Sequence, residues 1–214
     1  MTTSRVKLAA NTTVEVNGRV YRAPRRPTVV IVVDGFDPAY LEHGFVNGTL
    51  PTLQSFQKNG FVGIARCSMP STTNTNNTSI VTGVPPSVHG INGNYYLDSD
   101  TGKEIMITDA SRLRCATILG ALSRAGVRIA VVTAKDKLLK VLAHQMSGIG
   151  FSSEYAHKAN LAENGIENVE AGRAASARSI LGRSLLVCPG CWRRNSRICA
   201  AGPDVSVDIR LCAA

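Results

Sequence analysis

The chain has 214 residues, of which 44% are hydrophobic, 18% charged and 5% aromatic, and its net charge is +9. This is ordinary globular composition with enough chain for one sizeable core, and it excludes a disordered tail, a collagen-like fibre and a coiled coil. No run of about 18 apolar residues occurs, and the first thirty residues lack the apolar stretch of a secretory signal, so we expect a cytoplasmic protein without a membrane span.

The positive charge is concentrated toward the C-terminus. Residues 173–214 carry seven arginines and two aspartates, a net charge of +5, whereas all of residues 1–172 carry +4. The same segment contains the only tryptophan and four of the six cysteines: Cys188, Cys191, Cys199 and Cys212. The amino-acid composition of the chain therefore changes at about residue 171.

The first predicted elements are a hairpin and a buried strand. Residues Thr13–Tyr21 alternate between polar and apolar side chains around Asn17-Gly18, which is typical of a type I′ turn. The β-branched run Thr28–Val33 predicts a strand buried on both faces, as in parallel sheets.

Two helices and a second strand follow. Asp37-Pro38 predicts a helix start, because aspartate is a good N-cap and proline suits the first helical position. Pro51–Gly60 predicts a helix ended by glycine, and Phe61–Arg66 a strand. A polar stretch then leads into a helix predicted over Thr78–Thr82.

The remaining elements alternate between helix and strand. Val84–Tyr96 is rich in glycine, proline and asparagine and predicts a loop. Asp109 or Ser111 can cap a helix that ends at Gly126.

The last predicted elements are a buried strand at Arg128–Thr133 and a helix at Lys135–His144. This alternation predicts an α/β fold with a mainly parallel sheet flanked by helices.

Polar groups follow three of the predicted strands, where ligands bind in open α/β sheets. Asp34 follows the first strand and is either a metal ligand or simply a helix N-cap or turn former. Ser71–Asn77 follows the second strand, and its hydroxyls Thr72, Thr73 and Thr75 stand at a helix start, where they either bind an anion or simply cap the helix. Lys135 and Lys137 either neutralise an anionic substrate or begin a solvated helix. Together they describe an anion site with a candidate metal ligand and a hydroxyl nucleophile.

Three motifs carry a family resemblance. The runs VVIVVDGFDPAYL (Val29–Leu41), MPSTTNTNNTSIVTGVPPSVHGINGNYY (Met69–Tyr96) and VVTAKDKL (Val131–Leu138) closely resemble phosphonoacetate hydrolases of the alkaline phosphatase superfamily. The VTGxxPxxHGxxxN pattern is shared with nucleotide pyrophosphatase/phosphodiesterases. The resemblance covers about residues 6–170 and implies an alkaline phosphatase-like domain of metal-dependent hydrolases.

The resemblance implies a role for five residues. Asp34 matches a zinc ligand, and Thr73 matches the nucleophile, which also touches a metal. Asn94 matches a side chain that binds the phosphonate oxygens. Lys135 and Lys137 match lysines that hold the substrate carboxylate and stabilise the leaving acetate carbanion. Two zinc ions per complete active site are implied.

A histidine in the VHG sequence, His89, looks like a further metal ligand. The resemblance makes it a structural loop histidine instead, and we predict that role.

The sequence departs from the family after about Ala171. The Asp and His motifs that complete the two-zinc centre in the C-terminal half of the family are absent, and residues 171–214 contain no histidine. One codon spelling of Ala200–Ala214, read one base later, encodes RPDLMYLSTSDYVQ, which matches the missing family strand. We therefore predict residues 1–171 as the N-terminal part of the hydrolase domain and 172–214 as an aberrant, frameshifted tail. The chain is expected to be truncated, to lack the C-terminal half of the fold and to be inactive.

Three functions remain open. The first is hydrolysis of phosphonoacetate to acetate and phosphate in phosphonate catabolism, and the second is hydrolysis of nucleotide diesters. The third is zinc or nucleic-acid binding through the Cys/Arg-rich tail, although its arginines lack aromatic interleaving or a recognisable module. For the first, the expected partners are a small phosphonate and a second copy of the chain, with no nucleic acid and no membrane.

Overall fold

A computed structural model of the chain describes residues 12–156 and the backbone of two short strands, residues 206–209 and 212–213. The tail cysteines Cys188, Cys191 and Cys199 lie outside the described residues, so the division of the chain at residue 171 stays a prediction. None of the described helices is long and apolar enough to cross a membrane.

Ten strands and six helices are described. The strands are β1 Thr13–Val16, β2 Arg19–Arg22, β3 Thr28–Ile31, β4 Ala65–Arg66, β5 Tyr95–Leu97, β6 Glu104–Met106, β7 Ala130–Thr133, β8 Ile149–Ser152, β9 Ser206–Ile209 and β10 Cys212–Ala213. The helices are α1 Pro38–Val46, α2 Pro51–Asn59, α3 Thr73–Thr82, α4 Pro86–His89, α5 Ile118–Arg124 and α6 Asp136–Leu142.

The predicted α/β fold class is confirmed. The described strands form five pairs, of which β3–β9, β4–β10 and β7–β8 are parallel and β1–β2 and β5–β6 antiparallel. The chain divides into two compact units, one made of Met1–Arg25 with Ser68–Gly165 and the other of Arg26–Cys67 with Ile166–Ala214. We call them the first and the second unit.

The hairpin β1–β2 ties together several parts of the first unit. Its turn has φ of 52° at Asn17 and 75° at Gly18, as the predicted type I′ turn requires. The Asn17 side-chain amide donates hydrogen bonds to the carbonyl oxygens of Thr82 (2.8 Å) and Ala116 (2.9 Å). The turn therefore holds the C-terminal end of α3 and the segment before α5.

The first unit also contains a β–α–β motif, in which α6 connects the parallel strands β7 and β8. In the register Val131 lies beside Gly150, and Leu139 of α6 lies 3.7 Å from the position that a Cβ on Gly150 would occupy. Helix α6 therefore covers the sheet face that carries Val131, which is buried. Val132 points to the other face and is 63% exposed.

The second unit contains α1 and α2, and both begin as predicted. The Asp37 carboxylate accepts a hydrogen bond from the Ala39 amide at 2.8 Å, and Pro38 is the first residue of α1. Pro51 begins α2, and Gly60 follows its last residue.

Strand β3 is shorter and more exposed than predicted. It ends at Ile31, and exposed and half-buried residues alternate along it, so the prediction of burial on both faces was wrong. The reason is that β3 pairs only with β9 in the described part of the chain, and the face that carries Val30 is left open.

Four further boundaries differ from the prediction. Helix α3, expected over Thr78–Thr82, begins at Thr73, where the side chain of Asn77 donates to the Thr73 carbonyl. The strand expected at Phe61–Arg66 is reduced to β4. The helix expected from Asp109 begins at Ile118, because the Asp109 carboxylate caps a local turn at Ser111 and Thr117 caps the helix. The loop expected at Val84–Tyr96 contains the single turn α4.

We expect Asn17→Ala to lower the free energy of unfolding by about 2–3 kcal/mol, because it removes two hydrogen bonds and puts a Cβ-bearing residue without a local partner at positive φ. Asn17→Gly keeps the backbone permissive and should cost about 1–2 kcal/mol through the hydrogen bonds alone. Urea unfolding followed by circular dichroism measures both. Asn59→Ala, at the exposed end of α2, is the matched control with an effect below about 0.5 kcal/mol, and equal stability of all three variants would contradict the prediction.

Candidate active site

Thr73 is the first residue of α3. The preceding residue, Thr72, has extended backbone angles (φ −122°, ψ 155°), and its side chain makes no capping hydrogen bond. Its hydroxyl instead lies 2.8 Å from the hydroxyl of Thr75. The first amide groups of a helix have no partner within the helix, so this end of α3 favours an anion beside the half-buried Thr73.

The rest of α3 is an unusual helix with a buried polar face. Asn77 donates from its side chain to the Thr73 carbonyl (2.9 Å), Thr78 to the Asn74 carbonyl (2.6 Å) and Thr82 to the Thr78 carbonyl (2.7 Å). Each bond runs back four residues, so buried polar groups are satisfied locally rather than by other elements. The bond from Asn77 holds the backbone of Thr73 itself.

His89 joins the loop after α3 to the helix. Its ring is fully buried, with Nε2 2.9 Å from the Ser79 hydroxyl and Nδ1 accepting a hydrogen bond from the Ile91 amide at 3.1 Å. Because Nδ1 accepts, the neutral ring carries its proton on Nε2 and donates it to Ser79. The Ser79 oxygen in turn lies 3.0 Å from the hydroxyl of Ser68.

The Ser79–His89 pair has the spacing of a catalytic dyad but the wrong proton arrangement. A histidine that donates to the serine hydroxyl cannot remove the proton of that hydroxyl. Burial also lowers the pKa of His89, which favours this neutral form. Both ring nitrogens are occupied, in agreement with the structural role predicted for His89.

Asn94 and Lys137 are linked by the β5–β6 hairpin. The carbonyl of the half-buried Asn94 accepts a hydrogen bond from the Ile107 amide at 2.9 Å. The Lys137 ammonium lies 3.9 Å from the sulfur of Met106, the neighbour of Ile107. A thioether is a weak acceptor, so this contact leaves the charge of Lys137 without a strong partner there.

Lys135 precedes α6 and is exposed. The recorded ion pair of this helix joins the Lys140 ammonium to the Asp136 carboxylate at 2.9 Å, and this contact raises the pKa of Lys140. The acidic residue between the two site lysines, Asp136, therefore pairs with Lys140.

Four of the five predicted site residues fall in the first unit. Helix α3, which begins with Thr73, packs against α6, which carries Lys137. Asp34 belongs to the second unit, where it is exposed and follows Val33 just after β3.

The described residues include no group of three or more histidine, cysteine, aspartate or glutamate side chains that could hold a metal ion. A zinc ion in a protein usually has three or four protein ligands. The described part of the chain therefore does not fit a complete two-zinc centre.

Sequence reasoning missed the polar network around Ser79. Asn76 lies three residues before Ser79 on α3; its side-chain oxygen accepts from the Ser68 amide at 2.9 Å, and its amide donates to the Ser71 hydroxyl at 3.2 Å. The signal was the i, i+3 spacing of Asn76 and Ser79, which puts both on one helix face.

We expect the free energy of unfolding to fall as the pH drops from about 7.5 to about 5.5. The unfolded histidine takes up a proton near its ordinary pKa of 6.5, whereas the folded His89 resists it, so the unfolded state gains protons first. His89→Gln should reduce this pH dependence, and His43→Gln, on the exposed side of α1, should keep it. Urea midpoints at several pH values measure the effect, and an unchanged slope in His89→Gln would refute the assignment.

The comparisons with known proteins agree with this architecture. Residues 28–170 match the family model of type I phosphodiesterase / nucleotide pyrophosphatase. An uncharacterized pyrophosphatase/phosphodiesterase of Schizosaccharomyces pombe is 40% identical over 79 residues, which are 36% of this chain and 16% of that protein.

Two solved structures of phosphonoacetate hydrolase from Sinorhizobium meliloti 1021 are also similar. The complex with phosphonoformate is 36% identical and the complex with phosphonoacetate 35% identical, both with a TM-score of 0.67 over 95% of this chain. The chain spans about half the length of that enzyme. These similarities confirm the predicted resemblance to phosphonoacetate hydrolase and the alkaline phosphatase-like fold. The chain belongs to the type I phosphodiesterase / nucleotide pyrophosphatase family.

Proposed function

We propose that this chain provides the nucleophile and the substrate-binding residues of an enzyme that hydrolyses phosphonoacetate to acetate and phosphate. The observation that supports it most is the 36% identity, over 95% of the chain, with a phosphonoacetate hydrolase. The arrangement of the first unit agrees with this reaction, since Thr73, Asn94 and Lys137 lie on elements that pack together or are hydrogen bonded.

In the proposed reaction the Thr73 hydroxyl gives up its proton to solvent, its oxygen attacks phosphorus and the carbon–phosphorus bond breaks. The bonding electrons leave with acetate as an enolate-like carbanion, which takes up a proton from water. Lys135 and Lys137 stabilise that charge where it develops, and the Asn94 side chain holds the phosphonate oxygens. Water then hydrolyses the phosphorylated threonine and releases phosphate.

The resemblance implies two zinc ions for the complete active site, with Asp34 and Thr73 as ligands. These two residues alone do not make a zinc site, and the described residues offer no cluster that completes one. We therefore propose that the chain as given is a truncated and inactive form, and that a full site needs ligands from further polypeptide. A cytoplasmic location remains part of the proposal.

Zinc binding tests the incomplete site. Calorimetric titration of the chain with zinc should detect no pair of tight sites, because three or four protein ligands are needed for each ion. Replacement of Cys188, Cys191 and Cys199 by serine should remove any remaining zinc binding by the tail. Two tight sites per chain that survive these replacements would contradict truncation of the site.

The nucleotide sequence across codons 165–214 and beyond tests the origin of the tail. A shifted frame that continues into the missing aspartate and histidine motifs supports a frameshift after about Ala171. A shifted frame closed by stop codons would make the tail a genuine part of the protein.

Substitution of Thr73 tests the proposed chemistry in the frame-restored protein. Thr73→Ala removes the nucleophile, and phosphate release from phosphonoacetate should fall at least about 1,000-fold, as expected when a covalent route is lost. Thr73→Ser keeps a hydroxyl and should retain most of the activity. Thr101→Ala, at an exposed turn, is the matched control, and a fully active Thr73→Ala enzyme would refute the nucleophile.

The second candidate is a nucleotide pyrophosphatase/phosphodiesterase-like hydrolase, which the family model and the Schizosaccharomyces pombe relative favour. The two lysines discriminate between the substrates, because phosphonoacetate carries a carboxylate for them and a nucleotide diester does not. Lys137→Met should raise the KM for phosphonoacetate about 10- to 100-fold, the value of one charge-assisted contact. Lys103→Met is the exposed control. Faster hydrolysis of nucleotide diesters than of phosphonoacetate would favour this second candidate.

The third candidate, a zinc- or nucleic-acid-binding protein, depends on tail residues outside the described part of the chain. Deletion of residues 172–214 tests it, since binding that survives the deletion cannot come from the tail.

A further inference from the structure

Lys135 lies at the N-cap position of α6, where a lysine cannot cap the helix. Its backbone is extended (φ −114°, ψ 133°), and its side chain makes no capping hydrogen bond. An ammonium group has donors but no acceptor, so it cannot accept a hydrogen bond from an amide of the first helical turn. Serine, threonine, aspartate or asparagine usually does so at this position. A lysine that is needed here to bind substrate therefore leaves the cap to another residue.

Glu154 supplies the missing acceptor from outside the helix. Its Oε2 atom accepts a hydrogen bond at 2.9 Å from the amide of Asp136, the first residue of α6. Glu154 follows β8, which runs parallel to β7 with Ser152 beside Thr133. Because the two strands end at the same edge, the residues after β8 lie at the start of α6, which follows β7.

The segment after β8 also holds the backbone on the other side of Lys135. The carbonyl of Ala134 accepts hydrogen bonds from the Glu154 amide and the Ser153 hydroxyl, both at 3.2 Å. The carbonyl of Lys135 accepts one from the Thr133 hydroxyl at 2.9 Å. Glu154 therefore contacts the backbone directly before and directly after Lys135, once with its amide and once with its carboxylate.

We propose that Glu154 is a positioning residue for substrate binding, whose carboxylate fixes the start of α6 so that Lys135 and Lys137 are held where the substrate carboxylate binds. The two lysines flank Asp136, so one hydrogen bond to its amide fixes the backbone to which both are attached. Binding groups that are held in place before the substrate arrives lose less conformational freedom when it binds. This role depends on the proposed function, because the substrate carboxylate is what the two lysines are proposed to hold.

The role requires a hydrogen-bond acceptor at the position of Oε2 and not a negative charge. Glutamine has nearly the same shape as glutamate and carries a carbonyl oxygen there, so Glu154→Gln keeps the hydrogen bond. Glu154→Ala removes it. Glu42→Ala is the matched control, because Glu42 is an exposed glutamate on α1 of the second unit.

Hydrogen exchange of the Asp136 amide, followed by NMR of the full chain, tests the contact itself. Glu154→Ala should speed this exchange about fivefold, as expected when a helix loses its cap. Glu154→Gln and Glu42→Ala should leave the exchange rate close to that of the unsubstituted chain. An exchange rate that Glu154→Ala does not change would overturn the proposal at this step.

Steady-state kinetics of the frame-restored protein test the link to the substrate, with acetate release as the assay. Glu154→Ala should raise the KM for phosphonoacetate about 5- to 10-fold, the value of about one hydrogen bond. The inhibition constant of inorganic phosphate should stay within about twofold, because phosphate has no carboxylate for the lysines to hold. Glu154→Gln should return the KM to within about threefold of the unsubstituted enzyme.

Three kinetic results would overturn the positioning role. An unchanged KM in Glu154→Ala would remove any effect on the substrate. A KM and a phosphate inhibition constant that rise equally would show general damage to the fold. A Glu154→Gln enzyme as impaired as Glu154→Ala would assign the effect to the negative charge. Failure of the proposed function is a separate result, because the unsubstituted, frame-restored enzyme would then release no acetate from phosphonoacetate.

Discussion

The first unit depends on the local satisfaction of buried polar groups in α3. Five polar residues of this ten-residue helix are buried: Asn74, Thr75, Asn77, Thr78 and Thr82. A buried hydroxyl or amide without a hydrogen bond costs about 1–3 kcal/mol, so five such groups would cost about as much as the whole free energy of unfolding of a domain. Three of the five, Asn77, Thr78 and Thr82, avoid this cost by donating to backbone carbonyls of the helix itself. The Thr75 hydroxyl lies 2.8 Å from the hydroxyl of Thr72. The same bonds make α3 a rigid support for the threonine at its first position.

Neighbouring segments attach to α3 at its ends and along one face. The C-terminal end closes with Gly83 at φ of 70°, where a Cβ would collide with the Tyr21 hydroxyl. At the same end, the Asn17 side-chain amide donates a hydrogen bond to the Thr82 carbonyl. In the middle of the helix, the Ser79 hydroxyl accepts a hydrogen bond from His89 Nε2, and this bond holds the loop that leads to Asn94. The positions that we propose for substrate binding, although distant in the sequence, are thus attached to one helix.

The sequence predicts best where a local rule determines the structure. Asn17-Gly18 requires positive φ at two positions, and Asp37-Pro38 combines a cap with a first-turn proline, so both were predicted correctly from neighbouring residues alone. The start of α5 was predicted wrongly because Asp109 and Thr117 are both good caps, and the choice depends on packing of the helix against β1 and α3. The burial of β3 was also predicted wrongly. A run of valines indicates that a strand favours burial, but the burial itself depends on which elements pack against the strand.

The same limit applies to the candidate site. Motif resemblance could name Thr73 and the two lysines, but not the tautomer of His89, which depends on the Ile91 amide lying opposite Nδ1. That detail decides between two chemistries. If His89 carried its proton on Nδ1, its Nε2 could accept the Ser79 proton as in a hydrolase dyad. With the proton on Nε2, the pair is a buried structural hydrogen bond. With that pair excluded, the hydroxyl that we propose for attack on an anionic substrate is that of Thr73, at the start of α3, where the backbone amides of the first turn favour an anion.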